Sequence, residues 1–184
     1  MGFACFLGSP MKTQIFILFL MSFLPVTISA QADHSAAQRR ALACADSLVN
    51  AFHGNHPDDY MEMSYPGVIS YYGGVNGYRQ YLERARAMSE VPEEKMEMLQ
   101  LLNNGREWQC VIKRTHRQQF DGKEAHVITY LVGQSTDGGN DWKFFDVALN
   151  SVASIDYIMP DKFPGLSVPQ RQVIFEKDKV ATSR

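Results

Sequence analysis

Apolar residues change their spacing about halfway along this chain. Between residues 35 and 53, Ala37, Ala41, Cys44, Ala45, Leu48 and Phe52 recur at intervals of three and four. That spacing predicts one apolar helical face. Ser35 is placed to cap this helix and Gly54 to end it. Asp58 or Asp59 can open a short helix through Met63, and Pro66 a further turn or two up to Gly73-Gly74. Val75, Tyr78, Tyr81, Leu82, Ala85 and Met88 predict a third full helix.

After Pro92 the period falls to two. Met96 and Met98 alternate with Lys95 and Glu97. Residues 108–120 and 124–135 read as strands joined by the Asp121-Gly122 turn, and residues 141–149 as a further strand after Asp137-Gly138-Gly139-Asn140. Three helices followed by an antiparallel meander predict an α+β fold. Pro160, Pro164 and Pro169 forbid a long helix near the C-terminus. There, Ile155, Tyr157, Ile158, Phe163 and Leu166 are expected to clasp the core, and residues 173–175 to add an edge strand.

An earlier stretch changes the picture. Lys12, the apolar run of residues 15–26 and the small Ala30 read as a cleaved export signal, too short to span a bilayer as a helix of about 20 residues. Met11 is an alternative start. The expected layout is a signal over residues 1–30, one domain over 31–176 and a frayed tail over 177–184. The working compartment is then periplasmic or extracellular. Net charge is −2, or −3 once Lys12 is lost. No basic stripe suggests nucleic acid, and no second apolar run suggests a membrane span. Cys44 and Cys110 remain as either a disulfide pair or two small buried hydrophobes.

The segments Ser64-Tyr65-Pro66, Gly73-Gly74, Tyr130-Leu131, residues 135–146 (STDGGNDWKFFD) and Phe163-Pro164-Gly165-Leu166 carry a resemblance. With the order of helices before strands, the chain resembles the nuclear-transport-factor-2-like or SnoaL-like superfamily. Within it, the likeness is to small exported bacterial proteins. The resemblance implies a cone: three N-terminal helices packed in a curved antiparallel sheet, with a pocket between them. It implies no single activity, because this superfold hosts enzymes and binders alike.

Alternation along residues 142–147 puts Trp142, Phe144 and Asp146 on one face. A carboxylate among apolar rings is poorly solvated and can serve as a general base. Backbone amides at the strand end offer Asp146 a purely structural alternative. Tyr60, Tyr65, Tyr71, Tyr72, Tyr78 and Tyr130 form a phenol-rich set suited to core, rim or an apolar ligand carrying an oxygen or two. From these and the resemblance, Tyr65, Tyr71, Tyr130, Trp142 and Phe144 are the candidate ligand-binding residues. His116 and His126 flank the Asp121-Gly122 turn, where zinc competes with a solvated hairpin edge. His53 and His56 with Asp58 and Asp59 have no regular ligand spacing. No metal or cofactor is expected. Hydrolase, phosphate-loop, zincin and Cys-x-x-Cys motifs are missing from the sequence.

Three functions stand. The first is an exported, non-catalytic module holding a small apolar ligand or a protein partner in its cone. The second is a lyase or isomerase with Asp146 as base and Tyr65 or Tyr130 donating to an oxyanion. The third is a structural homodimer with a filled cone. Apolar residues on both faces of the strands, such as Cys110 and Ile112 against Val111, predict a homodimer in any of them.

Overall fold

The computed structural model describes residues 26–87 and 93–175, with side chains from residue 33 onward. The expected signal lies outside the described residues up to residue 25, as do Met88 and the 177–184 tail.

Helix α1 runs Val26–His53, α2 Pro57–Met63, α3 Pro66–Tyr71 and α4 Val75–Ala87. Helix α1 starts nine residues before the expected Ser35 cap. No proline or glycine interrupts residues 26–53, so nothing local stops the helix there. From residue 37 on, its buried stripe is Ala37, Ala41, Ala45 and Leu48. These small side chains let the backbone come close: a Cβ on Gly139 would lie 2.7 Å from that of Ala37. Pro57 and Pro66 each occupy a helix first turn, where a missing N–H costs nothing.

Strands β1 (Lys95–Asn104), β2 (Glu107–Phe120), β3 (Lys123–Ser135) and β4 (Lys143–Asp146) form an antiparallel sheet in that order. Strand β5 (Gln172–Phe175) pairs antiparallel with the first half of β3. The described fold is therefore α+β with a five-stranded antiparallel sheet. Strand β4 is shorter than residues 141–149 because the backbone turns at its end. Asp146 O accepts from Leu149 N and Asn150 N.

Directly paired residues share a face. Register therefore assigns Ile112, Arg114 and His116 on β2, Val127, Thr129 and Leu131 on β3, and Phe144 and Asp146 on β4 to one face, called the inner face below. Val111, Val132, Tyr130 and Phe145 belong to the outer face.

Both faces are buried within a single chain at the centre of the sheet, where Cys110, Val111, Ile112, Leu131 and Val132 have no exposure. The outer face is crossed by the segment after α5 (Ile155–Ile158). Three glutamines tie it down. Gln109 donates to Asp161 O and accepts from Phe163 N, Gln134 donates to the Asp161 carboxylate, and Gln100 accepts from Ser167 N. Val111 and Val132, among the apolar residues behind the expectation of a second subunit, are buried within the single chain. Ile155, Ile158 and Leu166 pack as the expected clasp, whereas Tyr157 is 79 % exposed. Among the described residues no helix is long and apolar enough to cross a membrane.

Candidate functional site

Alternation along β2 sets the site. Continuing Cys110 and Ile112 by steps of two places Arg114, His116 and Gln118 on the same inner face. Arg114 stands opposite Thr129 and His116 opposite Val127. Asp146 reaches the same face from β4, two residues beyond the buried Phe144. Glu94 arrives just ahead of β1, and His53 from the last turn of α1. Phe52, Tyr81, Ala85 and Leu149 complete an apolar wall. Together these groups line a cavity of about 350 Å³, with Arg117 and Arg171 also in its lining.

A buried ionic cluster forms its polar end. Arg114 Nε and Nη2 each donate to one Glu94 oxygen at 2.7 Å, and Nη1 donates to Asp146 Oδ2 at 2.8 Å. Asp146 Oδ2 also accepts from Tyr60 OH at 3.1 Å, and Oδ1 from Ala148 N at 2.7 Å. The side chains of Arg114, Glu94 and Asp146 are each no more than 6 % exposed. Burial alone would raise the Glu94 pKa; the Arg114 hydrogen bonds and charge outweigh it and hold the group below its ordinary value. Burial alone would lower the Arg114 pKa, but Asp146 and Glu94 reverse that and raise it. Tyr60 is pushed well up by burial and then by the Asp146 charge.

Two imidazoles approach the same Glu94 oxygen. His53 Nε2 lies 3.5 Å from Oε1 and His116 Nδ1 lies 4.0 Å from it. Burial holds the His116 ring below the usual imidazole range, which favours its neutral form. His53 Nε2, His116 Nδ1 and Thr129 Oγ1 are buried without a hydrogen-bond partner. Buried polar atoms are almost always paired, so three such atoms on one cavity mark it out. No group of three or more metal-ligating side chains is placed to hold an ion among the described residues.

Of the six residues named from the sequence as catalytic or ligand-binding, Asp146 alone lines this cavity. Its oxygens are occupied by three donors, so it is a held and oriented carboxylate, not one stranded among rings. Tyr130 is buried on the outer face, away from Asp146, which separates the proposed base from its proposed oxyanion donor. Tyr65 lines a second groove with Gln134 and Lys143 and donates to Asp161 at 2.8 Å. Tyr71 is 52 % exposed and meets the edges of Tyr72 and Tyr157. Trp142 is fully buried, donating to Gly139 O, and Phe144 packs against Gly133.

The expected solvated edge fails for His116, whose side chain is 14 % exposed. His126 stands opposite Arg117 on the other face, so the two histidines do not converge. Asp58 pairs with Arg79 rather than with a histidine. Asp137 forms the expected turn, accepting from Ser135 Oγ, Asn140 N and Asp141 N. Among the described residues Cys44 and Cys110 are free thiols, so the alternative of a bridge between them is not realised. Cys110 is buried beneath Gly133, where an added Cβ would lie 2.8 Å from its sulfur.

Sequence reasoning missed Glu94, Arg114 and Thr129. The available signal was an arginine and a histidine continuing the apolar alternation of Cys110 and Ile112. No family model matches this chain, and no curated protein or solved structure matches it either.

Proposed function

We propose that this protein is a small-molecule-binding module whose ligand enters the inner-face cavity, with a polar end at Glu94, His116 and Thr129 and an apolar body on Phe52, Tyr81 and Val127. The observation that carries this reading is the convergence of three buried, unpartnered polar atoms on one cavity of about 350 Å³. That volume suits a compact ligand. The reading keeps the exported, cone-like module resembling the nuclear-transport-factor-2-like superfamily. It moves the pocket from the tyrosines to the Arg114 cluster. Two long strands, a register shift between Met98 and Gln100 that favours a bend, and a helix-facing polar pocket support the cone.

The lyase or isomerase alternative has less support, because Asp146 already accepts three hydrogen bonds and Tyr130 lies on the opposite face. The filled-cone alternative conflicts with the size of the cavity.

Methyl NMR tests the binding reading. A panel of compact amphipathic fragments is expected to give saturable shifts at Ala85, Val127 and Thr129, with Val132 on the outer face as the control. Ala85→Trp, which fills the cavity, is expected to abolish them. A panel that leaves these inner-face methyls unmoved would overturn the reading.

A further inference from the structure

We propose that the polar end of the cavity is built for a monocationic amine: a protonated primary amino group on a compact apolar body, its nitrogen held between Glu94 and His116. This rests on the ligand-binding reading above and specifies the chemistry of the ligand.

The first argument is charge. Two carboxylates, Glu94 and Asp146, face one guanidinium, Arg114, so the buried cluster holds one more acidic than permanently charged basic side chain, with the His53 ring 3.5 Å from Glu94 Oε1. The remaining arginines of the lining sit at the exposed rim. Arg117 is 69 % exposed and paired with Glu124 at 3.3 Å. Arg171 is exposed just before β5. Water screens the rim charges far more than the buried ones. A bound monocation neutralises the interior, and a bound anion adds to its excess.

The second argument is the set of acceptors. His116 Nδ1 is buried without a hydrogen-bond partner. In the neutral ring with its proton on Nε2, Nδ1 is a bare lone pair 4.0 Å from the Glu94 Oε1 lone pairs. Two acceptors at that distance repel unless a donor bridges them. A nitrogen about 2.9 Å from each would see them at roughly 90°, within the reach of two ammonium N–H bonds. The unpartnered Thr129 Oγ1 on the neighbouring strand offers the third ammonium hydrogen an acceptor. A hydroxyl has only one hydrogen to donate, and a carboxylate has none. Phe52 and Tyr81 supply aromatic rings to the lining, which suits an apolar body next to a cation.

Three ligands with the same phenylethyl body test the assignment on the full chain: 2-phenylethylamine, 2-phenylethanol and 3-phenylpropionate. Titration is followed by calorimetry and by the Val127 and Thr129 methyl signals. The amine is expected to bind roughly tenfold or more tightly than the alcohol, and the carboxylate more weakly still. Glu94→Gln is expected to erase the preference for the amine. His116→Phe and Thr129→Val, which leave the Arg114 ion pairs intact, are expected to weaken the amine severalfold and the alcohol less, so the test survives a Glu94 variant that misfolds. Carboxylate or alcohol shifting the Val127 signal at equal or higher affinity than the amine would overturn the amine assignment and leave the pocket standing. Three ligands that all leave Val127 and Thr129 unmoved would overturn both.

Discussion

Arg114 grips Glu94 with two parallel hydrogen bonds of 2.7 Å, both side chains nearly removed from solvent. Glu94 precedes β1, whereas Arg114 lies on its neighbour β2. The pair therefore pins the entry to the sheet against the cavity floor. Its planar fork also leaves Nη1 to reach Asp146 on β4.

Removing the cation leaves two buried carboxylates facing each other. Arg114→Met is expected to cost about 3–5 kcal/mol, read from urea unfolding, because an uncompensated buried charge is worse than none. Adding Glu94→Gln and Asp146→Asn to that variant is expected to recover part of the loss. A single Arg114→Met as stable as the wild type would mean that the cluster is hydrated and carries little energy.

Tyr60 tests the same cluster from the helices. Its hydroxyl donates to Asp146 Oδ2, linking α2 to β4. Tyr60→Phe keeps the ring and is expected to cost about 1.5 kcal/mol, the value of a hydrogen bond to a charged acceptor. In the folded wild type Tyr60 is expected to ionise well above the ordinary value of 10, for which burial and then Asp146 are the causes. Ultraviolet titration of wild type against Tyr60→Phe checks it.

Much of the architecture was legible in the chain. Alternation and turn chemistry located β2, β3 and the Asp121-Gly122 hairpin, because a strand with one buried face repeats every two residues whatever lies opposite it. The long C-terminal crossing was legible as prolines and an apolar clasp, but not in how it is fastened. Its anchors are side-chain amides of Gln100, Gln109 and Gln134, and no local pattern announces which glutamine will be buried. The site was legible least of all. Arg114, Glu94 and Asp146 come from three separate segments, and only strand pairing brings them within 3 Å. The tyrosines drew notice by number, yet Tyr72, Tyr78 and Tyr81 mostly stack on one another, with centroids 4.2 to 6.3 Å apart.

Acid is expected to weaken the fold in two stages. His116 has a folded pKa below its ordinary 6.5, with burial as the main cause, so the unfolded chain takes up that proton first. Its contribution is complete above about pH 6.5 and is lost as pH falls toward the folded value. Glu94 has a folded pKa below its ordinary 4.5, where Arg114 overcomes burial. Its contribution is complete above about pH 4.5 and is lost at lower pH. Urea midpoints should therefore begin to fall below about pH 6.5. His116→Gln should remove the upper stage and spare the lower one. A midpoint independent of pH between about 7 and 5 would contradict the buried placement of His116.

The two described thiols should differ in reactivity. Burial pushes Cys110 up to about 12, which leaves almost no thiolate near neutrality. Cys44 is also raised, by burial and then by Asp141, but it is only half-buried. In a Cys5→Ser background, a thiol-exchange reagent near pH 8 is expected to modify Cys44 slowly in the folded protein and Cys110 only after denaturation. Equal rates for the two in the folded state would place Cys110 elsewhere.

Gln109 makes the strongest demand on the outer face. It is fully buried, donates to Asp161 O at 3.0 Å and accepts from Phe163 N at 2.7 Å. A leucine has similar bulk but strands one carbonyl and one amide of the crossing segment. Gln109→Leu is expected to cost about 2–3 kcal/mol for those orphaned groups. The loss should be local as well as global, because Asp161 also holds Gln134 and Tyr65. Hydrogen exchange should accelerate first at Phe163 and Leu166, while the β2 and β3 amides around Ile112 and Leu131 keep their protection. Uniform acceleration across the sheet would mean that the crossing segment and the strands unfold as one unit and that Gln109 is no separate fastening.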